Sequence, residues 1–320
     1  MPMFDLAGLD DATATVRTHL PPTPQYAWPL LAEAVGAEVW VKHENHTRTG
    51  AFKVRGGLVL QETLRRAGDD SPIVSATRGN HGQSLALTSQ LAGRPVTIVV
   101  PEGNDPDQNA AMRGFGAEVI VHGADFQAAR RRAGEIAAER GALAVPPFHA
   151  ELVRGVATYA RELFDAAGEL DAVYVPVGMG SGICGLITVR DLLGLTTEIV
   201  GVVADGAPAY ALSFAAGHVV ETESVNTFAD GVASRSPDPA ALEIILKGAA
   251  DVVRVTDDEI AAAMRLLYRT TKNVAEGAGA VALAGLVQRA DRHRGGRVGV
   301  VVSGGNISAG RLVKLLAEPA

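Results

Sequence analysis

Short runs rich in Val and Ile recur along the chain at residues 39–42, 73–76, 96–100, 119–121, 172–175, 199–203 and 298–302. Between them lie stretches with a helical period, among them 83–91, 127–140, 157–166 and 260–270. Runs this apolar offer no polar face to water, so each strand must be covered on both sides. Helices inserted between such strands leave a parallel arrangement as the natural solution. The pattern therefore predicts an α/β fold. With 47% hydrophobic and 20% charged residues, the 320-residue chain can bury a large core and does not resemble a disordered sequence. No linker rich in Pro, Gly or Ser divides it, and no internal repeat is present.

Charge and cysteine usage narrow the partners. A net charge of -7 without a basic block argues against nucleic acid or an anionic membrane as a partner. The single cysteine, Cys184, leaves no intrachain disulfide and no cysteine-based zinc site, in keeping with a reducing compartment. No N-terminal stretch combines basic residues with an apolar core, and every apolar run is interrupted well short of a membrane span. A cytoplasmic location is the expectation.

Chemistry concentrates where strands give way to helices. Lys53 lies in Gly50-Ala51-Phe52-Lys53-Val54-Arg55-Gly56-Gly57, after the apolar stretch Val39-Trp40-Val41. A helix start and the nearby Arg55 cation both disfavour its ammonium form, and a lysine of lowered pKa is what Schiff-base chemistry requires. Gly178-Met179-Gly180-Ser181-Gly182 follows the strand-like Val173-Tyr174-Val175-Pro176-Val177 and opens an apolar helical pattern, a setting that suits a phosphate. Ser75-Ala76-Thr77-Arg78-Gly79-Asn80-His81 and Ser303-Gly304-Gly305-Asn306 repeat the arrangement of strand followed by turn. Each site taken alone has a plainer reading: a lysine in water, a tightly packed glycine turn, an asparagine cap, a satisfied structural histidine.

Taken together, these motifs resemble fold-type II pyridoxal-phosphate enzymes, the family of threonine and serine dehydratases and serine racemase. Thr23-Pro24, Gly79-Asn80-His81, the 178–185 loop, Glu276-Gly277-Ala278-Gly279 and Ser303-Gly304-Gly305-Asn306 follow the family's order from about residue 20 to about 315. The resemblance implies a tryptophan synthase β-like fold, with two open, twisted, mostly parallel sheets flanked by helices. It implies a large cofactor-binding domain from residues 1–69 and 147–320, with a small mobile domain, 70–146, inserted in it. A homodimer is the implied assembly. The cofactor would be pyridoxal 5'-phosphate, carried by Lys53 as a Schiff base, with Lys53 also the catalytic base. Phe52 would lie against the cofactor ring and Asn80 beside its phenolic oxygen. The 178–182 loop (Gly178, Met179, Gly180, Ser181, Gly182) would hold the phosphate, with Glu276 near the cofactor and Ser303 at the pyridine nitrogen. A neutral serine there leaves the ring a weaker electron sink and favours expulsion of a β-leaving group. Thr77, Arg78, Gly79, Asn80 and His81 would receive the substrate, its α-carboxylate held by backbone amides.

Departures from the family pattern refine the expectation. Serine racemases carry an acid/base serine where this chain has Arg78, which cannot deprotonate. Cation-activated relatives place carboxylates after the strand at 199–203. Here only Asp205 remains in Ala204-Asp205-Gly206-Ala207, so no metal is expected there. Val156 stands where glutamine is usual. The chain ends at Ala320 with no regulatory module in prospect. The reading is a dehydratase (ammonia-lyase) that converts a β-hydroxy-α-amino acid of the threonine/serine type, or a larger one such as phenylserine or 3-hydroxyaspartate, to a 2-oxo acid and ammonia. The alternatives are an amino-acid racemase of the same fold or a non-catalytic pyridoxal-phosphate-binding protein. A dinucleotide oxidoreductase fails because the 178–182 glycines miss the required spacing and Lys53 has no role in it.

Overall fold

The computed structural model describes residues 3–317; residues 1, 2 and 318–320 of the expected large domain lie outside them. Ten strands form in chain order. They are β1 (Gln25–Ala27), β2 (Glu38–His43), β3 (Ile73–Ala76), β4 (Val96–Val100), β5 (Glu118–Val121), β6 (Leu143–Ala144), β7 (Ala172–Pro176), β8 (Glu198–Ala204), β9 (Asp251–Val255) and β10 (Arg297–Val302). The seven runs read from the sequence are all strands. The three that went unread, β1, β6 and β9, are all at sheet edges. An edge strand has one neighbour and more solvent, so it needs no continuous apolar run. β9 shows this, with Asp251 half-buried and Arg254 exposed between buried valines.

The strands make two sheets. The larger runs β1-β2-β10-β7-β8-β9, parallel except for β1, and the smaller runs β5-β4-β3-β6, entirely parallel. Side chains alternate between two cores across each sheet, as the pleat requires. On the larger sheet Val39, Val41, Val298, Val300 and Val302 enter one cluster, while Val173, Val175, Ile199 and Val301 enter the other. On the smaller sheet Ile73, Ile98 and Val100 face one way, and Val74, Ala76 and Val99 the other. Among the described residues, no helix is long and apolar enough to cross a membrane.

The strand order decides where chemistry can sit. β2, β10 and β7 are adjacent and parallel, so the loops leaving their C-terminal ends lie side by side. These are the loop to Lys53, the turn at Ser303 and the glycine loop at 178–180. The carboxyl edge of parallel strands is where α/β folds place their ligands.

Candidate active site

Three helices begin at this edge, Lys53–Ala67, Ser181–Leu192 and Gly277–Gln288, and a fourth, Asn80–Ala92, meets it from the end of β3 in the smaller sheet. Their N-cap residues are Phe52, Gly79, Gly180 and Glu276, and none supplies a side-chain cap. First-turn amides have no partner inside a helix, so these ends carry unspent donors and positive potential. By contrast, Asp5, Asp125, Asp238 and Thr256 cap helices elsewhere.

Lys53 is half-buried at the first of these ends. Its Nζ lies 3.4 Å from Ser181 Oγ, 3.5 Å from the Pro147 carbonyl and 5.3 Å from the centre of the Phe52 ring. Burial holds its pKa down at about 8, so neutral amine is available near neutrality. The expectation that Arg55 contributes is corrected. Residues two apart in a helix point to nearly opposite sides, and Arg55 is fully buried behind the site. There it pairs with Glu44 (2.7 Å) and Glu162 (2.8 Å), and Glu162 also binds Lys42 (2.6 Å).

Hydrogen bonds tie the Ser303 turn to the lysine segment. Phe52 N donates to the Ser303 carbonyl at 3.0 Å, Gly305 N donates to the Gly50 carbonyl at 2.9 Å, and Ala51 bridges to Gly304. Glu276 N in turn donates to the Gly304 carbonyl at 3.1 Å. The Ser303 hydroxyl, buried, donates to the Ala278 carbonyl at 3.3 Å and retains its lone pairs. Glu276 accepts from Asn80 Nδ2 at 2.6 Å. Burial raises its pKa to about 7; the Asn80 hydrogen bond opposes that rise and the Asp230 charge adds to it.

The glycine loop is shaped for close approach. A Cβ on Gly178 would stand 2.1 Å from the Gly231 carbonyl oxygen, and Gly180 has φ +94°. Ser181 is buried at the helix start, and no acidic residue occupies that first turn. Met179 contributes backbone: its carbonyl accepts from Tyr210 OH at 3.1 Å, while its sulfur accepts from Ser234 Oγ at 3.7 Å. Gly182 lies under Tyr159, whose hydroxyl donates to its carbonyl at 3.1 Å.

In the 77–81 turn, Thr77 is buried and its Oγ1 accepts from Gly79 N at 3.2 Å. Arg78 is exposed and has no hydrogen bond or ion pair among the described residues. His81 is buried, with its pKa lowered to about 3 by burial and then by the Lys53 charge, and its Nε2 has no partner. Val156 is buried in the core with Phe148 and Tyr159. Asp205 pairs with Arg254 at 2.6 Å. Among the described residues, no group of three or more His, Cys, Asp or Glu side chains is placed to hold a metal.

Two residues outside the expected set belong to the site. Asn306 Nδ2 donates to Asn80 Oδ1 at 2.7 Å, and Gln108 Nε2 donates to the Asn306 carbonyl at 3.1 Å. Asn306 stood in a quoted motif without a role. Gln108 carried no signal, because its partner is 198 residues away.

The arrangement fits pyridoxal phosphate. A half-buried lysine of lowered pKa faces a glycine loop with no room for a Cβ at Gly178 and an uncapped helix start for an anion. The comparisons agree. The family model described as pyridoxal-phosphate dependent enzyme matches residues 16–304. L-threonine ammonia-lyase of Thermotoga maritima is 32% identical over 319 residues, spanning 98% of this chain and 78% of that protein. L-threo-3-hydroxyaspartate ammonia-lyase of Saccharomyces cerevisiae is 30% identical over 308 residues, spanning 96% and 94%. Maize serine racemase superposes with a TM-score of 0.92 at 26% identity, covering 97% of this chain and 96% of that one. With the family model spanning most of the chain and the Lys53 cleft fitted to its cofactor, this protein belongs to the pyridoxal-phosphate dependent enzymes.

Proposed function

We propose that this enzyme is an ammonia-lyase that converts a β-hydroxy-α-amino acid to a 2-oxo acid and ammonia. The observation that carries the reading is Lys53 Nζ 3.4 Å from Ser181 at the uncapped start of the glycine-loop helix, with the uncapped Asn80 helix start near enough for His81 to feel the lysine's charge. When bound, pyridoxal phosphate supplies an electron sink conjugated to the substrate's Cα. Lys53 would hold it, with the amides of 178–182 on the phosphate, Asn80 and Ser303 at the ring, and Phe52 beside it.

The residues then divide the work. Amides at the start of the Asn80 helix bind the α-carboxylate and fix the substrate's orientation. Lys53, as a free amine, would take the Cα proton; an amine with a pKa near 8 is well matched to that task. Its neighbours Ser181 Oγ and the Pro147 carbonyl accept from Nζ while it holds the proton. Loss of the β-hydroxyl and hydrolysis of the released enamine give the 2-oxo acid and ammonia, so the water lost is regained. Closure of the smaller-sheet half over the cleft would exclude water during the step. Arg78 lies beside the substrate turn and is unsuited to reprotonate Cα, which favours elimination over racemisation.

Borohydride treatment of the purified yellow holoenzyme, followed by peptide mapping, should place the label on Lys53. A panel of β-hydroxy amino acids should release 2-oxo acid, and Lys53→Ala should lose turnover by several orders of magnitude. A colourless protein that takes up no pyridoxal phosphate overturns the reading.

A further inference from the structure

The polarity of a side-chain amide is set by what its two ends meet, and at Asn80 that setting can be traced to the backbone. Asn306 Nδ2 lies 2.7 Å from the Thr49 carbonyl. A backbone carbonyl only accepts, so the atom facing it must be the NH2 group. The same NH2 reaches Asn80 at 2.7 Å, and the Asn80 atom that receives it must be Oδ1. Asn80 therefore has one orientation left, with Nδ2 turned toward Glu276 Oε1 at 2.6 Å and the cleft. Asn306 is itself held in place. Gly50, at φ +67°, packs against its Oδ1, and a Cβ there would be 2.4 Å away. The Asn306 carbonyl accepts from Gln108 Nε2 at 3.1 Å, and Gln108 Oε1 accepts from Gln83 Nε2 at 2.6 Å.

We propose that Asn306 is a positioning residue: anchored on the Thr49 carbonyl, it fixes the Asn80 amide so that a donor, and not an acceptor, faces the cofactor cleft. Gln108 adds a condition. Asn306 and Thr49 belong to the half of the molecule built on the larger sheet, whereas Asn80, Gln83 and Gln108 belong to the smaller-sheet half. The anchor reaches Asn80 only when the two halves are together, so the donor is presented correctly in the closed arrangement. Without the anchor, the bond to Glu276 Oε1 alone holds the Asn80 amide in this orientation. This inference rests on the reading that Asn80 meets the bound cofactor.

The test uses the cofactor's own absorbance in the full-length holoenzyme. A donor beside its phenolic oxygen favours the ionised, longer-wavelength form, and an acceptor favours the protonated, shorter-wavelength form. Asn306→Asp keeps the shape but replaces the NH2 with an oxygen, so Asn80 should turn its NH2 toward residue 306 and its carbonyl into the cleft. At fixed pH the ratio of the two bands should shift toward the short-wavelength form by about tenfold, one pK unit. Asn306→Ala, which removes the anchor without adding charge, should shift it the same way by a smaller factor. In both variants kcat should fall more than KM rises, since the carboxylate-binding amides are untouched. Should Asn306→Asp fail to fold, the band ratio of Asn306→Ala decides. Wild-type band ratios in the folded variants overturn the inference while leaving the cofactor reading intact. A wild-type protein that binds no pyridoxal phosphate overturns that reading and the anchor's purpose with it.

Discussion

Glu276→Gln should stabilise the cofactor-free protein, and by an amount that grows with pH. Burial raises the Glu276 pKa from 4.5 to about 7 in the folded state. Between those values the folded protein holds a proton that the unfolded chain has released. Stability tied to the protonated carboxyl is thus complete below about pH 4.5 and drains away as pH rises toward 7. Each pK unit is worth about 1.4 kcal/mol. The wild type should therefore lose roughly 2–3 kcal/mol between about pH 5 and pH 8, which the glutamine variant keeps. A glutamine at position 276 presents the same oxygen to Asn80 Nδ2, so the hydrogen bond now made at 2.6 Å survives. The depressed pKa of Lys53 works with the opposite sign, penalising the fold as pH falls through 8, but it is common to both proteins and cancels in their difference. Urea titrations of the two apoproteins at each pH measure the gap directly. A gap that is the same at both pH values would refute the reasoning, because it would show that the carboxyl carries no buried charge.

Gly178→Ala should weaken pyridoxal phosphate binding by tenfold or more. The new Cβ would stand 2.1 Å from the Gly231 carbonyl, and relieving such overpacking typically costs about 1–3 kcal/mol; fluorescence titration of the apoprotein reads the change, and unchanged affinity refutes it. Arg55→Met should destabilise the fold by about 3–5 kcal/mol in denaturant, because it leaves Glu44 and Glu162 buried with only Lys42 and the exposed Arg17, 3.6 Å from Glu162, as cations nearby; a near-neutral effect would mean that water reaches the carboxylates. Arg78→Ala should narrow the preference for a substrate bearing a second carboxylate or an aromatic ring over L-threonine, with a charge-assisted contact worth roughly 1.5–3 kcal/mol. An unchanged ranking of kcat/KM across the panel removes Arg78 from selection.

Glu276 was legible in the sequence through the family resemblance, and Lys53, Asn80, Ser303 and the 178–182 loop for one shared reason. Each stands at a helix start or follows a strand end in a glycine-containing turn, and such a transition concentrates chemistry in a few consecutive residues. What escaped detection depends on distance along the chain. The amide chain from Gln108 through Asn306 and Asn80 to Glu276 joins residues 198, 226 and 196 positions apart, and no local pattern encodes such pairings. Arg55 misled for the converse reason: it is two residues from Lys53 in sequence but lies on the other side of the helix, so nearness along the chain was mistaken for nearness of charge. The same geometry resolves both cases. The segment 51–55 does two jobs, turning a lysine into the cleft while the cation two residues on neutralises buried carboxylates behind it. Glu44, Thr23, Thr158 and Glu162 hold that arginine with five hydrogen bonds between 2.7 and 3.0 Å and a sixth, to Thr23, at 3.4 Å. A helix anchored so firmly on its far side can keep a lysine of lowered pKa at its first residue, where neither a side-chain cap nor a carboxylate steadies it. The rigidity comes from the buried ion cluster and the reactivity from the uncapped end, and the first is what allows the second.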